Sequence, residues 1–560
     1  MKSGRMKSVP YGGEWLGRAG QLVDRLNNEA YYFGCCLRSG MFGIESPQRV
    51  ALAAKALVDY GMLGGCVAVT AIRHPDRLAV IDERGEVTYR ELDDRINALA
   101  NAWIAAGLKP KDGVAIMTRN HRGFFEALFA AAKCGARIVL MNTGFSAPQV
   151  SEVAAREGVD LFVYDEEFGS LVVELELRLG RFRAWTDARE QDSDTLAAAI
   201  AGSHPRPPRK PTRAPRLVIL TSGTTGTPKG AGRHVSISLS PVGGPLSKVP
   251  FRSGDVALIS APLFHALGFT QGLLQIGLGA TLVLERRFAP AQTLATLARH
   301  RVSTWVIVPV MLQRALALDP EQSADLDLLA LRIIYLSGSQ LGRQLAGAAL
   351  RRFGPVLYNL YGSTEIAFAT IATPADLQEE PGCVGRVVRG AVVEILGPDG
   401  HKLPRGETGR IFVGHMIAFE GYTGGGDKER VGGMVSSGDV GHFDATGRLF
   451  IDGRDDEMII SGGENVFPRE IEDLLHQHPG VLEAAAVGVP DEQFGQRLSV
   501  FIVMRDGLQL TEEDVKQYVR DNLARYKVPR AVTFLAELPR NPTGKVLKRE
   551  LVKLSDVSWA

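Results

Sequence analysis

Cysteine is scarce in this chain. The five cysteines among 560 residues, Cys35, Cys36, Cys66, Cys134 and Cys383, are odd in number and lack metal-ligand spacing. That argues against a disulfide framework and a zinc site, and fits a reducing cytoplasm. Net charge is equally scant, with 64 Lys and Arg against 63 Asp and Glu. No global field therefore draws the protein to nucleic acid or an anionic membrane, and an anionic ligand must be held locally. Long apolar runs are missing too. The basic start MKSGRMKSVPYGG is followed by no apolar signal core, and Ala51 to Ile72 carries Lys55, Asp59 and several glycines. We read that stretch as a surface helix rather than a membrane span. What is abundant is the material of a globular enzyme, 45% apolar and 23% charged residues. The length exceeds the roughly 250 to 300 residues at which single cores stop growing, so at least two domains are expected.

Residues 1 to about 65 read as an extension in which Ser46-Pro47 caps and starts a helix running through Tyr60. Beyond them, short apolar runs (Leu161 to Tyr164, Leu217 to Leu220, Trp305 to Val308) alternate with helical stretches such as Tyr89 to Gly107 and Gly123 to Cys134. This is the pattern of an α/β protein of layered sheets covered by helices. A basic, proline-rich run, Ser203 to Arg216, reads as a solvated connector. No aromatic residues interleave with its charges, which disfavours nucleic-acid binding. After Gly453-Arg454-Asp455-Asp456 a separate α+β pattern of about 100 residues begins.

The strand Leu217 to Leu220 runs directly into TSGTTGTPKG, residues 221 to 230. Gly223, Gly226 and Gly230 let the backbone turn sharply and aim N–H groups inward. Thr221, Ser222, Thr224 and Thr225 add hydroxyl donors, and Lys229 brings a point charge for phosphate oxygens. Alone, such a string could be a glycine-rich surface turn, and it lacks the Walker A spacing. As a ten-residue unit, followed in order by YGSTE (361 to 365), SSGDVG (436 to 441), GRDDEMIISGGENVFPREIE (453 to 472) and NPTGKVLKREL (541 to 551), it closely resembles the adenylate-forming superfamily of acyl-CoA synthetases, peptide-synthetase adenylation domains and beetle luciferases. The resemblance runs from about residue 70 to about residue 552.

The resemblance implies ATP, Mg²⁺ and coenzyme A. Thr221 to Gly226 and Lys229 would hold the phosphates, and Tyr361 would stack on adenine beside Gly362, Ser363 and Thr364. Glu365 would hold Mg²⁺, as suits a hard oxygen ligand. Gly338 and Ser339 occupy the place of a turn lining the adenine pocket, where Ser337 to Gln340 departs from the usual Gly-Gly-Ala-Pro type. Asp439 would accept bonds from the ribose hydroxyls, and Arg454 would reach the nucleotide. Lys545 would be the catalytic lysine of adenylation, its charge stabilising the attacked α-phosphate. Asp456 would be a hinge for a small mobile C-terminal α+β domain (457 to 560) turning on a large domain (66 to 454). Gly462 and Gly463 would line a pantetheine tunnel in the second posture.

APLFHALGF, residues 261 to 269, corresponds to the acyl-pocket motif, with His265 as a catalytic or gating residue; a structural histidine is the alternative. Phe264-His265 stands where α-amino-acid enzymes place Phe-Asp, so an ammonium-bearing substrate is disfavoured. Trp305 to Met311 would add an apolar wall. The expectation is activation of a hydrophobic carboxylic acid, such as a fatty acid, followed by thioester formation with coenzyme A. The rivals are loading of a carrier protein and a nucleotide-binding homologue without turnover. No nucleic-acid partner is expected. Cytoplasmic placement is, with peripheral membrane contact through the N-terminal extension left open.

Overall fold

A computed structural model describes residues 18–187, 194–221, 229–233, 238–319, 326–415, 419–423, 427–455, 459–461, 464–466, 468–491, 495–523, 527–542 and 544–557. Four sheets organise them. The first has nine strands in the order Arg386–Val387, Ala367–Ala372, Leu357–Ser363, Ile333–Leu336, Thr304–Ile307, Val256–Ile259, Thr281–Leu284, Leu78–Asp82, Gly85–Thr88. Its six consecutive strands from Leu357–Ser363 to Leu78–Asp82 are mutually parallel. The second has seven strands, ordered Phe419–Thr423, Lys229–Arg233, Arg216–Thr221, Arg137–Leu140, Gly113–Met117, Val159–Asp165, Arg181–Trp185.

The parallel strands are apolar runs without alternation because helices cover both faces. Gly113–Met117, Thr281–Leu284, Thr304–Ile307 and Ile333–Leu336 are buried at every position. Caps written in the sequence set where helices begin. Ser46 accepts from the Arg49 N–H with Pro47 at the first helical position, and Thr88 with Glu91 forms a capping box.

A third, antiparallel sheet joins Ala391–Leu396, Gly409–His415, Met434–Phe443, Arg430–Val431 and Leu449–Arg454. The fourth lies wholly in the last hundred residues: Ile459–Ser461, Glu464–Val466, Val481–Asp491, Gly495–Met504 and Ala531–Phe534. It has its own apolar core around Ile471, Val500 and Val519. The large α/β body and small C-terminal α+β body are those expected.

Two local differences matter. The helix expected through Tyr60 continues to Arg73, kinked at Gly61 (φ 70°), so it crosses residue 65. Its first half is largely exposed, whereas Gly64, Gly65, Val67, Ala68 and Thr70 are buried. Gly64 and Gly65 allow that seat: a Cβ on Gly64 would lie 3.3 Å from the Ala132 backbone. The presumed wall Trp305 to Met311 is also not one surface. Strand alternation sends Trp305 and Ile307 into the core with Leu336, and Val306 and Val308 into the core with Phe264.

Candidate active site

The site is assembled where strands of three sheets end. Thr221 and Lys229 face each other as register partners of the hairpin that brackets residues 222–228. The phosphate-loop residues Ser222, Gly223, Thr224, Thr225 and Gly226 lie outside the described residues, as do Asp456, Gly462 and Gly463. Strand Phe419–Thr423 pairs beside the hairpin, with Tyr422 opposite Ala231 and Thr423 opposite Gly230. From this edge the Tyr422 hydroxyl donates to Glu365 Oε1 at 2.8 Å. Ser363 Oγ donates to Glu365 Oε2 at 2.9 Å and also accepts from the Glu365 N–H. Glu365 is thus held against the strand that pairs with Lys229–Arg233.

Glu365 stands just past strand Leu357–Ser363, which also delivers Tyr361. Gly362 is required there, since a Cβ would fall 2.0 Å from the Ala367 carbonyl oxygen. The Tyr361 hydroxyl donates to Asp439 Oδ2 at 2.6 Å. Burial and the neighbouring Asp439 charge hold the Tyr361 phenol well above its ordinary value, so it stays a donor. Asp439, in the serine- and glycine-rich string SSGDVG, lies on the ten-residue strand Met434–Phe443, directly opposite Arg454 on the next strand. Arg454 Nη1 donates to Asp439 Oδ1 at 3.2 Å, and the Asp439 N–H donates to Ser437 Oγ at 3.0 Å. Burial raises the Asp439 carboxyl above 3.8, against the lowering pull of Arg454, Tyr361, Ser437 and the charge of Lys545.

Lys545 reaches this neighbourhood on a short loop whose backbone is closed on itself. Its N–H donates to Asn541 Oδ1 at 2.9 Å, and the Gly544 N–H donates to the Asn541 carbonyl at 2.8 Å. The loop is seated on the large body through glycines. A Cβ on Gly544 would lie 2.2 Å from Val310 Cγ1, and one on Gly144 would lie 2.5 Å from Pro542 Cγ. A second contact joins the bodies: Gln340 Nε2 donates to Asp473 Oδ1 at 3.0 Å. Beside it Gly338 (φ 96°) turns the chain over Val308, followed by half-buried Ser339.

His265 stands outside this line of polar contacts, at the head of helix Ala266–Gly277. Its ring lies on Phe264, centroids 4.4 Å apart, and Phe264 belongs to the same apolar cluster as Val308 and Val310. Nε2 is buried without a hydrogen-bond partner among the described residues. Burial lowers its pKa to about 4, so the imidazole is neutral at neutral pH.

Sequence reasoning missed Tyr422 and Gly144, and named Ser437 only within SSGDVG and Val310 only within the Trp305 to Met311 wall. Tyr422 carries no motif and is found only through sheet pairing. Gly144 and Val310 are positions whose meaning depends on a loop four hundred or two hundred residues away.

The hairpin strands, Glu365, Tyr361, Asp439 and Arg454 are thus linked by strand pairing and side-chain bonds, and the charge of Lys545 is felt at Asp439. Residues 67–423 match the family described as AMP-binding enzyme, and residues 470–545 match its C-terminal domain. The chain belongs to the AMP-binding enzyme family. Among curated relatives, a fatty acid–[acyl-carrier-protein] ligase, ScoC of Streptomyces coeruleorubidus, is 32% identical, covering 86% of this chain and 94% of the relative. The indoleacetate–CoA ligase of Aromatoleum aromaticum is 33% identical, covering 87% and 95%. Among solved structures, ATP-bound MatB from Rhodopseudomonas palustris is 26% identical, covers 89% of this chain and 100% of its own, and superposes with a TM-score of 0.78. As an AMP-binding enzyme with relatives among the acid–thiol ligases, the protein is a ligase of the adenylate-forming type. Those relatives differ in acid and in acceptor.

Proposed function

We propose that this AMP-binding enzyme activates a hydrophobic carboxylic acid, such as a fatty acid, to an acyl-adenylate and then transfers the acyl group to coenzyme A in the cytoplasm. The observation that carries the reading is the approach of Lys545 to the Tyr361–Asp439–Arg454 cluster, the arrangement a first, adenylating half-reaction needs.

In this reading the substrate carboxylate oxygen attacks the α-phosphorus of ATP, and pyrophosphate leaves held by the Thr221 to Lys229 loop. Lys545 stabilises the negative charge that develops at the α-phosphate. Asp439 accepts from the ribose hydroxyls while Arg454 and Tyr361 fix its orientation. Mg²⁺, when bound, neutralises polyphosphate charge. The donor set fits it, since Glu365 offers one carboxylate oriented by Tyr422 and Ser363. One or two carboxylates plus phosphate oxygens is the usual way Mg²⁺ is held. The small body then turns at Asp456, bringing Gly462 and Gly463 to the site, and the coenzyme A thiolate displaces AMP.

Phe264, Val308 and the neutral His265 support an uncharged acyl chain rather than an ammonium. Transfer to a carrier-protein phosphopantetheine is the second reading, favoured by the first relative named. Pyrophosphate exchange measured over carboxylic acids of increasing chain length, with release of free acyl-CoA as the second readout, tests both. Exchange driven only by amino acids would overturn the acid class. Thioester formed only on a carrier protein would replace coenzyme A as acceptor.

A further inference from the structure

We propose that the N-terminal helices dock this enzyme in the plane of an anionic lipid bilayer, with the proline-rich run 203–216 as a basic collar at the lipid headgroups. The extension precedes the matched family region, which begins at residue 67. It nonetheless holds most of the large apolar side chains that are left outside. On helix Arg18–Arg38, Leu26, Ala30, Phe33 and Leu37 are all exposed, and their spacing of four, three and four places them on one helix face. On helix Pro47–Arg73, Ala51, Ala54 and Val58, spaced three and four before the kink at Gly61, form a second exposed stripe joined by Lys55, and Met62 just past the kink is exposed as well. Ile44, between the helices, is fully exposed. A patch of this kind marks an interaction surface.

Charge selects the occupant. Asp59, beside Val58, pairs with Lys55 and Lys210, and Glu45 pairs with Arg73 and Arg49. The run 203–216 touches this helix, where the Tyr60 hydroxyl donates to the Pro208 carbonyl, and also helix Tyr89–Ala105, where Asn101 Nδ2 donates to the carbonyls of His204 and Arg206. Its Arg206, Arg209 and Arg213 are exposed and form no ion pair among the described residues, and the run contains no acid. Apolar stripes bordered by unpaired cations complement acyl chains under anionic headgroups.

Helix Pro47–Arg73 is the one described helix long and apolar enough to cross a membrane. The kink at Gly61 and the seat of its second half argue for the in-plane posture: Thr70 Oγ1 donates to the Ile276 carbonyl at 2.9 Å inside the body. Spanning would tear that half from the core.

Flotation of the full chain with phosphatidylcholine vesicles, with and without phosphatidylglycerol, tests this. The wild type should float with the anionic vesicles and release at high salt. V58E/M62E and F33E/L37E should each reduce binding at least tenfold with unchanged melting temperature. R209E/R213E, in an irregular segment that leaves both helices intact, should weaken binding to anionic vesicles only. Failure of the wild type to float, or wild-type binding by all three variants, would overturn the proposal. So would a solution mass of two chains that V58E/M62E converts to one, which makes a second copy the occupant.

Discussion

Asp439 sits where several demands meet. It is largely buried, and burial alone would push its proton on, yet the ribose-binding role needs the anion. Arg454, Tyr361, Ser437 and Lys545 together supply the compensation. Removing one neutral donor to a buried carboxylate costs on the order of 1.5 to 3 kcal/mol. Tyr361→Phe should therefore weaken ATP binding roughly tenfold or more by calorimetry; unchanged affinity would mean that the Asp439 contact is idle. His265 makes a second residue-scale prediction. Its pKa falls from 6.5 to about 4 on folding, so the folded state binds fewer protons than the unfolded chain between those values. Its contribution to stability is fully present above pH 6.5 and is lost as pH falls toward 4. His265→Leu should flatten that part of the unfolding-midpoint profile, and a profile identical to wild type would contradict the buried neutral imidazole. That Tyr361, Asp439 and Arg454 belong together was legible from the motif string. The hydroxyl bond from Tyr361 to Asp439 was not, because nothing in two separate motifs says which atoms meet.

At the scale of elements, the lysine loop depends on shape as much as on charge. Gly144 and Gly544 leave room for Pro542 and Val310, and Gly544 also has a φ of 80° that a side chain would strain. Gly144→Val should hinder seating of the loop, slowing pyrophosphate exchange by tenfold or more while a supplied acyl-adenylate still reacts with coenzyme A. Equal slowing of both steps would show a general defect instead. Element types were largely readable: the runs at Leu161, Leu217 and Trp305 are strands, the Ser46-Pro47 signal begins a helix, and the stretch from Tyr89 is helical. The wall assigned to Trp305 through Met311 was misjudged because apolar residues on a doubly covered strand carry no mark of which face they serve. The ten-residue strand around Asp439 was hidden by its serines and glycines, which read as a turn until pairing with Gly409–His415 and Leu449–Arg454 fixes them.

For the whole molecule, the two bodies meet at Gln340 with Asp473 and at the lysine loop with Gly144 and Val310, among other contacts. A two-body fold was legible because 560 residues exceed what one core holds and the motif string ends in its own α+β pattern. The posture was not legible, since contacts between residues 144 and 542 leave no local trace in either segment. The account's central claim is that one site serves two half-reactions and that Lys545 belongs to the first. Lys545→Ala, assayed separately for acid-dependent pyrophosphate exchange and for thioester formation from supplied acyl-adenylate and coenzyme A, tests it most directly. The account predicts exchange reduced by about 10² to 10³ with thioester formation retained. Equal loss of both half-reactions, or exchange that survives, would contradict it.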